Sequence, residues 1–340
     1  MSKSPAEIPF NKVIQALLDE SKPFHPRFLY RLSDLSPADL ATLSTTWMKI
    51  PQRRRQAVME DVQEMNESDY LMDFSSLSRL ALNDQDPLVR ALAIQTLREY
   101  EEPDLASIFL EMMVKDADTQ VRAASASALG TFTYLGELEE ISEQILREVE
   151  DGLLQATKGK DATLVRRRAL EALGFSSREE VSPLIEAAYE AGDRDWLISA
   201  LFAMGRSYNA IWEEKVLAKL DDENAEVRAE AAEAAGELSL RKSTPKLLEL
   251  LEDDDVDVRA AAIWALAEIG GEGVRETLEE LLEETEDEEE ADLLEDALEN
   301  LEFVEGMGGF SILDLPEEGE EADEEGLFEE DFEENTDEQG

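Results

Sequence analysis

One segment of this chain keeps returning. Asp86-Pro87-Leu88-Val89-Arg90-Ala91 is followed by Asp118-Thr119-Gln120-Val121-Arg122-Ala123. Later come Thr163-Leu164-Val165-Arg166-Arg167, Ala225-Glu226-Val227-Arg228-Ala229 and Val256-Asp257-Val258-Arg259-Ala260. Each leads into a stretch rich in Ala, which closes on glycine at Gly130, Gly174 and Gly236. Anchored on the valine, the steps are 32, 44, 62 and 31 residues. The step of 62 is two periods of 31, with Trp196 at its midpoint and Leu197 where the arginine belongs. A unit this short cannot bury its own apolar face, so such units must stack into a continuous array.

Each unit reads as two helices. Asp86 is placed to N-cap the second, and Pro87 suits a first helical position. At 100° per residue, Ala262, Ala265 and Ile269 fall on one side with Val258, and small alanines there let neighbouring helices approach. The first helix of a unit is rich in leucine, as in Thr244-Pro245-Lys246-Leu247-Leu248-Glu249-Leu250-Leu251. Pro183 and Pro245 again lie 62 residues apart and fit helix starts. The step of 44 implies an insertion within 131–160.

The pattern D-x-x-V-R-x-x-A-x-x-A-L-G, at about 31 residues, resembles HEAT repeats, in the short HEAT-like form also found in phycobilisome-lyase-type proteins. The resemblance covers residues 76–303 in about seven units. It implies an all-α fold: a right-handed superhelical solenoid of helix pairs. It also implies a ladder of arginines and turn aspartates between adjacent repeats. The matching residues are Asp86 with Arg90, Asp118 with Arg122 and Asp255 with Arg259, together with Arg166 and Arg228. Asn224 stands for the aspartate before Arg228, and Leu197 interrupts the arginine series.

The flanks differ. Residues 1–75 read as a helical cap, with Ser36-Pro37-Ala38-Asp39 as a capping signature. Pro51 and Arg53-Arg54-Arg55 open another helix, with Ala57, Val58 and Val62 on one side. Net charge is −52, but residues 1–60 carry +3, and residues 281–340 hold 28 Asp and Glu with no Lys or Arg. Residues 304–340 are expected to form a disordered acidic tail, interrupted by apolar clusters at Phe310–Leu315 and at Leu327, Phe328 and Phe332.

Composition narrows the chemistry. Such acidity opposes phosphate backbones and anionic lipids and favours basic partners. There is no cysteine and a single histidine, His25. That removes disulfides, thiolate chemistry and clusters of histidine ligands, and no cofactor is expected. No apolar run reaches the roughly 20 residues of a bilayer span, so a cytoplasmic location is expected. Only carboxylate chemistry remains. A concave cleft holding two inward carboxylates, one with a strongly raised pKa, would favour it.

Two features point to partner binding. Six residues past each anchor, a side chain should face outward or along the inner groove: Gln95, Ser127, Glu171, Phe202, Glu233, Trp264 and Asp296. Phe202 and Trp264 break a polar series and are candidate binding anchors; packing against a neighbouring repeat is the competing reading. Arg167 and Arg168, beside Arg166, form a basic spot. It would receive an acidic partner segment or the chain's own tail, unless neighbouring glutamates balance it. The reading is a non-enzymatic scaffold for a protein or peptide, with an acidic tail that steers or competes. A HEAT-like lyase or hydroxylase-type accessory enzyme is the alternative, and a nucleic-acid contact through Arg53–Arg55 is a third.

Overall fold

The structure, a computed structural model, describes residues 8–68 and 71–309, with side chains through 302. Three helices form the N-terminal part: α1 (Phe10–Leu18), α2 (Pro37–Thr46) and α3 (Gln52–Ser68). Ser36 caps α2 by accepting from the Asp39 N–H at 3.2 Å. Val58 and Val62 are buried, while Ala57 turns to solvent and Met59 takes its place inside.

Seven helix pairs follow. They are α4 (Ser75–Ala81) with α5 (Pro87–Leu97), α6 (Asp104–Lys115) with α7 (Thr119–Glu137), and α8 (Glu143–Lys158) with α9 (Thr163–Ala172). Then come α10 (Val181–Tyr189) with α11 (Arg194–Arg206), α12 (Glu213–Leu217) with α13 (Ala225–Glu237), α14 (Thr244–Leu250) with α15 (Val256–Ile269), and α16 (Val274–Glu284) with α17 (Glu288–Gly309). No strand occurs among the described residues. The second helices stack in one continuous row, from α3 through α5, α7, α9, α11, α13 and α15 to α17. The extra residues between Thr131 and Lys160 form no loop; they lengthen α7 to 19 and α8 to 16 residues. The last helix continues to Gly309, past the Val304 at which the sequence pattern fades, and residues 310–340 of the expected tail lie outside the described residues.

The anchor valines make the core: Val89, Val121, Val165, Val227 and Val258 are at most 1% exposed. Each such side chain contributes about 1.5–3 kcal/mol relative to an exposed one. The unit-closing glycines have a separate task. A Cβ built on Gly174, Gly205 or Gly236 would lie 3.1, 3.0 or 3.0 Å from the Cα of Ala203, Ala234 or Ala265 in the next unit. At Gly130 the same distance, to Ala172, is a comfortable 3.4 Å. Glycine against alanine is thus a seam along the row of second helices.

The arginine ladder exists, but its acids are not those expected. Asp86, Asp118 and Asp255 spend their carboxylates as N-caps, each accepting from two backbone N–H groups of the following turn. The partner of each arginine is an acid of the next unit, one that also orders the turn ahead of that unit's second helix. Arg90 takes Asp116, Arg122 takes Asp161, Arg228 takes Asp253, and Arg259 takes Glu290. The same four arginines donate back to the carbonyls of Asp84, Asp116, Asp222 and Asp253, six residues earlier. The ladder also reaches the N-terminal part, where Arg55 pairs with the buried Asp84 at 2.7 Å.

Arg166 departs from the series. It donates to the Thr157 carbonyl at 3.1 Å and lays its guanidinium over the Trp196 ring, 5.3 Å from the centroid. Where Leu197 replaces the arginine, Asp222 of the next turn is held by Lys219 instead.

Candidate functional site

Residues three, six and ten past an anchor lie within about 60° of one another on a helix. On α9 they are Arg168, Glu171 and the following Phe175; on α11 they are Ser199, Phe202 and Arg206; on α13 they are Glu230, Glu233 and Glu237. Of these, Arg168, Glu171, Phe175, Phe202 and Arg206 line a groove of about 920 Å³ that runs across the second helices from α5 to α11. Gln95, Ser127, Glu171 and Phe202, all six past their anchors, line it.

At its α11 end the groove carries an aromatic and arginine stack. The Tyr134 and Phe175 rings lie 5.0 Å apart, tilted by 53°. The Arg206 guanidinium lies 4.0 Å from the Phe202 centroid and 5.0 Å from that of Phe175. Its Nε is buried without a hydrogen bond, and burial lowers its pKa from the ordinary arginine value. Sequence reasoning missed Tyr134, Phe175 and Arg206. The residue after each unit's glycine was the available signal, since Thr131, Phe175 and Arg206 all occupy that position and all line the groove.

Beyond α11 the stripe becomes acidic. Burial, and then repulsion from Glu233, Glu171 and Glu237, pushes the Glu230 carboxyl up to about 8, with Arg206 pulling the other way. Glu237 rises to about 6, again through burial, opposed by Arg206. Glu233 also rises, although its side chain touches solvent freely. The α13 carboxyls therefore lie between packed helices but within reach of solvent, and their electrostatics are partly screened.

The four expected anchors fare differently. Phe202 is half-buried and serves as the stacking surface for Arg206. Trp264 is half-buried with its ring against Gly236 of the neighbouring unit, the contact a Cβ there would disturb. Arg167 is no free anchor: it pairs with Asp195 at 2.6 Å and donates to Ser199 Oγ at 2.8 Å, which ties α9 to α11. Arg168 lines the groove but is paired with Glu171 at 2.6 Å. Glu171 in turn accepts from Ser199 Oγ at 2.6 Å, so local acids balance this basic spot.

The N-terminal arginines offer no basic stripe. Arg55 is buried on Asp84, Arg54 donates to the carbonyls of Asp19 and Lys22, and of the three only Arg53 is fully exposed. Among the described residues, no group of three or more His, Cys, Asp or Glu side chains is arranged to hold a metal ion. No helix among them is long and apolar enough to cross a membrane.

A family model described as HEAT repeats matches residues 74–148 and 213–299. Among curated proteins none matches the chain. Among solved structures it is similar to the Escherichia coli protein YibA, at 18% identity over 84% of this chain and 99% of that one, with a TM-score of 0.42. It is similar to the complex of CpcE and CpcF of phycocyanin lyase from Nostoc, at 19% identity over 67% and 94%, with a TM-score of 0.44. Yeast importin-beta matches at 15% identity over 86% of this chain and 46% of that one, with a TM-score of 0.46.

Proposed function

We propose that this chain, a HEAT-repeat helical solenoid, is a non-enzymatic scaffold that holds a protein or peptide segment along its inner groove. The observation that carries the reading is the stack of Tyr134, Phe175, Phe202 and Arg206 in a groove of about 920 Å³. Aromatic and arginine side chains dominate the binding energy of interfaces because they bury large areas at small entropic cost. The favoured partner is basic: the net charge of −52 raises the encounter rate with positive surfaces and depresses it for polyanions. The cytoplasm is the proposed compartment. The test is affinity capture with the wild-type chain and with Tyr134→Ala/Phe175→Ala. Partners lost with the double variant bind the groove; partners all retained remove this reading.

A second reading has its own support. It draws on the Glu230 and Glu237 carboxyls, raised by burial to about 8 and about 6, since a general acid works best with a pKa near the operating pH. A lyase or hydroxylase-type accessory enzyme of the HEAT-like kind would use Glu230 in that role. It predicts that Glu230→Gln abolishes turnover while partner capture is unchanged.

A further inference from the structure

The groove's lining ends at α11, but the packed row of second helices continues to α13. The stripe that presents Phe202 and Arg206 passes on to α13, where all three corresponding positions are glutamate, and then to α15, where the sixth position is Trp264. Glu237 of α13 reaches across to α11, where a Cβ on Gly205 would lie 2.5 Å from its Oε2, and Arg206 interacts electrostatically with Glu230, Glu233 and Glu237. The guanidinium of Arg206 makes no hydrogen bond or ion pair among the described residues, although both faces of its environment are organised around it. An unpaired guanidinium beside three carboxylates leaves two needs at once: an acceptor for its N–H groups and a cation for the acids.

We propose that an extended basic peptide segment of a partner docks across α11 and α13, with a backbone carbonyl accepting from Arg206 and a lysine or arginine side chain entering among Glu230, Glu233 and Glu237. An apolar neighbour of that cation lies on Phe202 and Phe175. This deepens the groove reading above and rests on it. An extended backbone supplies the acceptor and the cation at neighbouring positions, which a free cation does not. The acidic residues 310–340 of the chain itself are disfavoured as occupant by the same three glutamates.

Docking has a proton signature. The charged groups facing Glu230 are Glu233 and Glu237 on its own helix, Glu171 of α9 and Arg206 of α11, with Asp257 of α15 facing Glu233. An arriving cation favours the ionised carboxyl, so a proton leaves as the segment binds and affinity rises with pH.

The experiment is fluorescence anisotropy on the full chain. The probe is a fluorescein-labelled peptide of about ten residues alternating leucine and lysine, with a lysine-acetylated copy as control. Glu230→Gln/Glu233→Gln should weaken binding about tenfold or more. Glu279→Gln/Glu280→Gln, which removes two carboxylates from the exposed face of α16, should change it less than about twofold. Wild-type binding should tighten from about pH 6 to about pH 8.5, and this dependence should flatten in the first variant. Equal losses in both charge variants would overturn the proposal in favour of diffuse attraction, and undiminished binding of the uncharged acetylated peptide would overturn it in favour of apolar contact alone. If Tyr134→Ala/Phe175→Ala weakens binding and Glu230→Gln/Glu233→Gln does not, the groove reading stands and this inference falls. If neither weakens it, both fall. Circular dichroism of each variant secures the comparison.

Discussion

Arg122 grips Asp161 through two parallel hydrogen bonds, of 2.9 Å from Nε and 2.7 Å from a terminal nitrogen, across 39 residues of chain. The corresponding steps Arg90 to Asp116 and Arg228 to Asp253 span only 26 and 25 residues. The insertion therefore changes helix lengths but leaves the junction between units intact.

Asp161→Asn should destabilise the array by about 1–2 kcal/mol, the range of a bidentate, partly solvated charge-assisted pair. The hydrogen bond from Arg122 lowers the Asp161 pKa. A lowered carboxylate pKa gives stability that is present above the unfolded value, about 3.9, and is lost as pH falls through the folded one. The gap between wild type and variant in urea melts should thus be full at neutral pH and close below about pH 4.

Asp84 is a harsher site. Its fully buried carboxylate accepts from Arg55 at 2.7 and 3.1 Å and from the Trp47 indole at 2.6 Å. Asp84→Ala leaves a buried guanidinium and an indole N–H without their acceptor, at a cost of about 3–5 kcal/mol. The loss should be seen as an early unfolding step in Trp47 fluorescence, confined to the N-terminal end because repeat arrays transmit stability mainly to neighbours.

The seam predicts opposite signs for one substitution. Gly130→Ala gains up to about 1 kcal/mol of helix propensity and meets only ordinary contact at Ala172. Gly236→Ala gains the same propensity but drives its Cβ onto the Trp264 ring and the Ala265 backbone. Overpacking of that kind costs about 1–3 kcal/mol, so this variant should melt below wild type and Gly130→Ala above it.

Glu230 should make the chain less stable as pH rises. Its folded pKa of about 8 exceeds the unfolded value near 4.3, so between these the folded state holds a proton that the unfolded state has released. Glu230→Gln should be indistinguishable from wild type near pH 4 and more stable by about 1 kcal/mol at pH 8, a figure discounted for the solvent the groove admits. A melting temperature for the variant that tracks wild type across this range would remove the buried-carboxyl account.

Much of this architecture is legible in the valine and arginine spacing. Periodicity reports which face of a helix is buried, and burial of a repeated face is what builds a solenoid. The inward position six past each anchor could also be counted out, and Phe202 was found that way. The ladder acids were not, because motif proximity favours Asp86 for Arg90, whereas the arginine reaches forward to Asp116 of the next unit. Arg167 misled for a similar reason. Its partner Asp195 is 28 residues away, adjacent only once α11 stacks on α9. Arg206 could be located by its place after Gly205, but its meaning comes from Phe175 and Phe202, supplied by two different turns of the array.

The glycine seam has a consequence for what the groove can hold. Three missing methyl groups, at Gly174, Gly205 and Gly236, let the backbones of the second helices draw together. The spacing along that row sets a radius of curvature, and the radius sets the width of an occupant. A lineage could therefore retune its partner by adding or deleting a methyl group at the seam, with no change to any residue that touches the ligand.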